Sequence, residues 1–235
     1  MTKKISIIIP AYNEDRRIEK TLRAYAGFFN KDTEILIILN GCRDNTLNIV
    51  KKVKDEFDNI NYWVFEKAMG KGGAVIEGFK VAGGDLIGFV DADLATVPEA
   101  FNDLIINIGN YDGIIASRYI SGARILNKQS LKRRFASRVF NIIVRILFFM
   151  NYKDTQCGAK IFKNAAIKKI VNKMTETNWT FDVELLYLMK KHKLKIKEFP
   201  TVWKEPGDSR LKLNKVGPEM FFSIIKLRIN KLINN

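Results

Sequence analysis

Five short runs of apolar residues constrain this chain more than any other feature. They are ISIIIP at 5–10, EILIIL at 34–39, NYWVF at 61–65, DLIGFVD at 85–91 and YDGIIAS at 111–117. A strand that alternates apolar and polar residues leaves one face to water, whereas an unbroken apolar run is covered on both faces. Segments with helical spacing lie between the runs. Residues 14–29 repeat Ile18, Leu22, Tyr25 and Phe29, residues 44–57 open with Asp44 or Asn45 as N-cap, residues 72–82 follow a glycine-rich turn, and Pro98 opens a further helix. Strand and helix signals in alternation predict an α/β fold with a mostly parallel central sheet flanked by helices.

Such sheets bind ligands beyond the carboxyl ends of their strands. Three polar loops fall there: PAYNE (10–14), NGCRDNT (40–46) and DADLAT (91–96). The third carries Asp91 and Asp93 two residues apart, and in an extended stretch such residues point to the same side. Paired carboxylates repel unless a divalent cation, a set of sugar hydroxyls or a basic side chain lies between them. An ordinary Asx turn is the alternative, and Asp44 equally either caps its helix or touches substrate. GKGGAVIEG (70–78) is glycine-rich with one lysine, Lys71, but it matches neither G-x-G-x-x-G on a first strand nor G-x-x-x-x-G-K-[ST].

The net charge of +15 is local. Residues 118–173 carry 14 lysines and arginines against Asp154 alone, a net +13, while residues 1–117 sum to −3. An anionic surface partner of the second half is expected, either nucleic acid or anionic membrane. Within KRRFASRVFNIIVRILFFM (132–150), Arg134, Arg138, Asn141 and Arg145 form one polar stripe on a helix that is otherwise apolar. GPEMFFSIIKLRINKLINN (217–235) is a second such helix, with Phe222, Ile225, Ile229, Leu232 and Ile233 on one face. Neither run is long and apolar enough to span a bilayer. A soluble core helix fits this pattern, and so does a helix lying in a membrane interface. Aromatics grouped with aliphatics favour lipid, so no nucleic-acid partner is expected. The opening MTKK leads straight into the first strand, so no leader is expected. With only Cys42 and Cys157, a reducing compartment is expected, and the single His192 excludes most histidine-based metal sites.

The ordered set IIIPAYNE, NGCRDNT, GKGGAVIEG and DADLAT resembles the GT-A glycosyltransferases of family 2. SRY (117–119), RRFAS (133–137), DTQCGAKIF (154–162), FDVELL (181–186) and GDSRLKL (207–213) narrow the resemblance to the dolichyl-phosphate (polyprenyl-phosphate) hexosyltransferases. The wording of DADLAT and DTQCG is most similar to the β-glucosyltransferase branch. The resemblance runs from Ile5 to about Leu213. Two departures stand out: Leu39 and Asn40 replace a common pair of aspartates, and Ile76 stands where an arginine is frequent.

The resemblance implies one GT-A domain over 1–235, with a nucleotide-sugar half (1–117) and an acceptor and membrane-facing half (118–235). It implies inverting transfer of a hexose from a nucleotide sugar, UDP-glucose first, to dolichyl or polyprenyl phosphate. GDP-mannose as donor, or a hydroxyl acceptor, is the alternative. Nucleotide-sugar contacts are expected from Pro10, Ala11, Tyr12, Glu14, Asn40, Lys71, Asp91, Ala92 and Arg210. Asp93, with Asp91, is expected to hold Mg2+ or Mn2+. Arg118, Arg133 and Ser137 are expected at the acceptor phosphate, and Asp93, Asp154 and Asp182 as catalytic carboxylates. A location on the cytoplasmic face of a membrane follows, with a membrane-anchoring partner left open.

Overall fold

The computed structural model describes residues 4–126, 131–204 and 213–233. In chain order the elements are β1 (Ile5–Ala11), α1 (Ile18–Phe28), β2 (Thr33–Asn40), α2 (Thr46–Glu56), β3 (Ile60–Phe65), α3 (Gly70–Val81), β4 (Leu86–Val90), α4 (Pro98–Ile106) and β5 (Gly113–Ser117). There follow β6 (Arg124–Ile125), α5 (Leu131–Phe148), β7 (Ala159–Lys163), α6 (Asn164–Ile170), α7 (Phe181–Lys191), β8 (Ile196–Pro200), β9 (Val202–Trp203) and α8 (Leu213–Ile233). All five apolar runs are strands, and β1, β2 and β4 lead into the three polar loops.

Seven strands form one sheet in the order β3-β2-β1-β4-β7-β5-β8. Neighbours are parallel except at β7, which runs antiparallel to both β4 and β5. Its first residue, Ala159, faces Val90, the last residue of β4. The loop that enters β7, residues 154–158, therefore arrives at the same edge as the carboxyl ends of β1, β2, β4 and β5. That one reversal brings DTQCG beside DADLAT. Strands from both halves of the chain share this sheet.

Residues along the strands alternate between two cores. Ile8, Leu36, Ile38, Ile87 and Phe89 pack with α3, α5, α6, α7 and α8. Ile7, Ile9, Ile35, Ile37 and Val90 pack with α1, α2 and α4. Removing one such side chain, for example Phe89→Ala, leaves a cavity that costs about 3–5 kcal/mol.

The two amphipathic helices turn out differently from their sequence pattern. On α5 the polar stripe is split. Arg138 and Arg145 are exposed, but Asn141 is buried, accepting from the Thr155 amide and hydroxyl at 2.9 Å and donating to Ser137 O. Val144 and Phe148 pack inward beside it, while Phe135 (71% exposed), Val139, Ile142, Ile146 (67%) and Phe149 (70%) face outward. On α8 the packed residues are Ile224 and Leu227, and Phe222 and Ile229 of the expected apolar face are exposed. No described helix is long and apolar enough to cross a membrane.

Candidate active site

Two of the polar loops, PAYNE and NGCRDNT, are stitched together at the sheet edge by side chains that accept from backbone N–H groups. Asn13 Oδ1 takes the Arg43 amide at 2.7 Å, Asp44 Oδ2 takes Asp15 at 3.1 Å, and Thr46 Oγ1 takes Glu14 at 2.7 Å. Asp44 Oδ1 also accepts from the Thr46 amide and hydroxyl, so this carboxylate fixes the entry to α2. Asn13 adopts φ 53°, a left-handed conformation that asparagine tolerates. Leu94 does so at φ 56°, directly after Asp93, where a leucine is strained. The strain is held by Asp93 Oδ1 accepting from the Ala95 amide, by Thr21 Oγ1 donating to Ala92 O and by the Tyr25 hydroxyl donating to Thr96 O. Strained backbone beside a carboxylate pair aims those carboxylates.

They are aimed into a cavity of about 440 Å³. Pro10, Ala11, Tyr12, Glu14 and Arg17 line one side, Asn40, Ala68, Gly70 and Lys71 a second, and Asp91, Ala92 and Asp93 the floor. Asn178 and Trp179 complete the wall. Lys71 Nζ lies 2.5 Å from Asp91 Oδ1, and Arg17 Nη1 lies 4.0 Å from Asp93 Oδ2. Burial pulls Lys71 downward, but Asp91 and Asp182 outweigh it and hold the ammonium above its usual value. Burial first, and the charge of Asp91 second, push Asp93 up to about 6. A carboxylate so disfavoured is ready for a cation. Among the described residues no group of three His, Cys, Asp or Glu side chains could hold a metal unaided. The pair therefore suits a hard cation that takes its remaining oxygen ligands from a diphosphate and water, the usual pattern for Mg2+.

Two nucleotide-loop residues are already engaged. Glu14 is gripped by Arg17 through two 2.8 Å hydrogen bonds. Asn40 accepts from the Met69 amide at 2.7 Å and donates to Gly70 O at 3.1 Å, fixing the entry to α3. One N–H of its amide remains for a ligand. The glycines of GKGG serve packing as well: a Cβ on Gly72 would lie 2.5 Å from Phe181 Cβ and 2.7 Å from Glu176 O, so the segment before α7 seats only against glycine.

Behind the cavity, Lys160 of β7 is wholly buried. Its Nζ donates to Asp182 Oδ1 at 2.5 Å and to Cys157 O at 2.8 Å. Burial raises Asp182 despite Lys160 and Lys71, and burial pushes the Cys157 thiol up to about 12, an inert state. Asp182 is paired with Lys160 and does not line the cavity.

Asp154, also wholly buried, accepts Arg118 Nε at 2.7 Å, Arg118 Nη2 at 2.9 Å and the Arg118 amide at 2.9 Å. Its burial works against the charge, and Arg118 overcomes this to hold the carboxyl below its ordinary value. The Arg118 guanidinium lies over the rings of Tyr119 and Trp203, at 5.4 and 5.3 Å. Tyr119 donates its hydroxyl to Ser137 Oγ at 2.9 Å, with Arg138 over its ring. Trp203 pairs with Thr96, so this cluster adjoins DADLAT. Arg133 stands one turn before Ser137 on α5, and Arg210 lies outside the described residues.

Reading the sequence overlooked Arg17, Tyr119, Lys160, Asn178 and Trp179. Arg17 had a signal, since it stands three residues after Glu14 at a helix start. Lys160 and Asp182 are 22 residues apart and had none.

The sheet order, the crevice at the strand ends and the carboxylate pair define a GT-A α/β fold. The model for glycosyl transferase family 2 matches residues 6–171, and the chain belongs to that family of glycosyltransferases. Glycosyltransferase AglD of Haloferax volcanii is 31% identical over 217 residues, 89% of this chain but 34% of that protein. The dolichyl-phosphate beta-glucosyltransferases of Dictyostelium discoideum and Saccharomyces cerevisiae are 32% and 31% identical over 97% of this chain, which spans 75% of the length of each. Among solved structures, glucosyl-3-phosphoglycerate synthase from Mycobacterium tuberculosis in complex with Mn2+, UDP and glucosyl-3-phosphoglycerate superposes with TM-score 0.71 at 13% identity, over 95% of this chain and 79% of that one. Staphylococcus aureus TarS 1–349 gives 0.66 at 22%, over 98% of this chain and 66% of that one.

Proposed function

We propose that this chain transfers glucose from UDP-glucose to the phosphate of a dolichyl or other polyprenyl phosphate, with inversion at the anomeric carbon. The observation that carries the reading is one continuous edge: a carboxylate-floored cavity adjoins an arginine and tyrosine cluster, which sits on a helix with an outward apolar face. The two eukaryotic relatives, by their names, support the choice of sugar and acceptor.

Asp93 and Asp91 would hold Mg2+ or Mn2+, which would supply charge stabilisation to the departing nucleoside diphosphate. Lys71 and Arg17 flank the same diphosphate. Tyr12, with Pro10 and Ala11, lies along the nucleoside, and Asn40 turns its remaining N–H to the base. Arg118, fixed by Asp154 and by two rings, presents its guanidinium to the acceptor phosphate, with Arg133 and Ser137 alongside. A phosphate oxygen attacks the anomeric carbon from the face opposite the diphosphate, the carbon–oxygen bond to UDP breaks, and a β-glucosyl phosphate forms. The nucleophile is already deprotonated near neutral pH, so no strong general base is required. Asp154 and Asp182 accordingly act as positioning residues. The outer faces of α5 and α8 rest on an anionic membrane, where the lipid acceptor is found.

The test is a donor panel. Purified protein, Mg2+ and polyprenyl phosphate are mixed separately with labelled UDP-glucose, GDP-mannose and UDP-N-acetylglucosamine, and label in the organic phase is counted. Label from UDP-glucose alone is expected. Label from GDP-mannose instead would change the donor, and bound nucleotide sugar with no organic label would point to a hydroxyl acceptor.

A further inference from the structure

We propose that Trp179 is the platform on which the transferred hexose rests, and hence a determinant of donor preference. This rests on the reading of the cavity as a nucleotide-sugar site. Trp179 lines the cavity yet is 40% exposed. Its carbonyl accepts from Gln156 Nε2 at 3.3 Å. Gln156 belongs to the same loop as Asp154, which fixes Arg118. The residue therefore stands where the donor cavity meets the acceptor cluster. A transferred sugar must lie at that junction, between the diphosphate it leaves and the phosphate it joins.

The segment that carries Trp179 is firmly built. Glu184, wholly buried, accepts from the Thr175 amide at 2.8 Å, the Thr175 hydroxyl at 2.8 Å and the Glu176 amide at 2.7 Å. Lys231 of α8 neutralises it at 2.7 Å. Thr180 Oγ1 donates to Glu176 at 2.8 Å, and Thr177 O accepts the Gly73 amide at 3.1 Å. These bonds fix the backbone on either side of Trp179, and its indole, 40% exposed at the cavity wall, offers a surface to a ligand. The C–H face of a hexose complements an indole ring, whereas a diphosphate does not.

Calorimetric titration of wild type, Trp179→Ala and Trp179→Phe with UDP and with UDP-glucose, in the presence of Mn2+, tests this. Thermal melts confirm first that both variants fold. The expected result is that Trp179→Ala weakens UDP-glucose by about tenfold or more, the scale of one aromatic contact. UDP changes by less than about twofold on the same scale, and Trp179→Phe recovers part of the loss. Equal weakening of both ligands would overturn the proposal, because the indole would then sit against the nucleotide. No change in either would also overturn it. If wild type binds neither, the nucleotide-sugar reading itself falls.

Discussion

At the scale of single residues, Asp93, partly exposed at the cavity, and Asp154, wholly buried, are two carboxylates with opposite electrostatics. Asp93 has a like-charged neighbour and is pushed up to about 6, while an ordinary aspartate lies near 3.9. Between those values the folded chain binds a proton that the unfolded chain does not, so Asp93 makes stability decline as pH rises from about 4 to about 6. A cation binds the deprotonated pair and reverses that loss. Mn2+ is therefore expected to raise the melting temperature clearly at about pH 7.5 and much less at about pH 5. Asp93→Asn should abolish both the Mn2+ shift and turnover. An equal Mn2+ shift at both pH values, measured by calorimetry, would contradict the metal role. Asp154 is held in the opposite sense, as an anion matched to Arg118. Asp154→Asn leaves that guanidinium uncompensated and should destabilise the fold by about 3–5 kcal/mol, read from denaturant unfolding. A catalytic carboxylate without a structural role would leave stability unchanged.

At the scale of elements, α5 joins the acceptor cluster to the outer surface. Its inner face is anchored by Asn141, Val144 and Phe148, and its outer face carries Phe135, Val139, Ile142 and Ile146 among the exposed Arg138 and Arg145. Since Ile142 and Ile146 are 52% and 67% exposed, replacing those two should cost little stability. The double change Ile142→Glu and Ile146→Glu is expected to release the protein from anionic vesicles in a sedimentation assay, while a short-chain acceptor is still used. Retained vesicle binding with an intact fold would show that another surface meets the lipid. The sequence pattern of α5 was legible as amphipathic, but its orientation was not. Asn141 counts as polar in any periodicity, yet its amide satisfies the Thr155 backbone inside the protein.

At the scale of the whole molecule, the five parallel strands and their three converging loops could be read directly, because continuous apolar runs have few other uses. The place of β7 could not. AKIFK is interrupted by Lys160, which looks like a surface residue and is instead buried against Asp182, a partner known only once the chain has folded. The same holds for Asp154: its isolation in a basic region was visible, but not its threefold grip on Arg118. Trp179 read as one aromatic among many, since its meaning comes from the glycines of α3 that let its segment approach.

The antiparallel entry of β7 between β4 and β5 also limits how this molecule can be taken apart. A fragment ending after Ser117 would contain β4 and β5 with a one-strand gap between them, two raw edges inviting another chain. The remaining fragment would carry β7 with neither of its neighbours. The two halves of the chain are thus inseparable in architecture. Exchanging second halves between relatives means replacing a central strand of the sheet, so new preferences are more readily acquired through the loops at its edge than by shuffling modules.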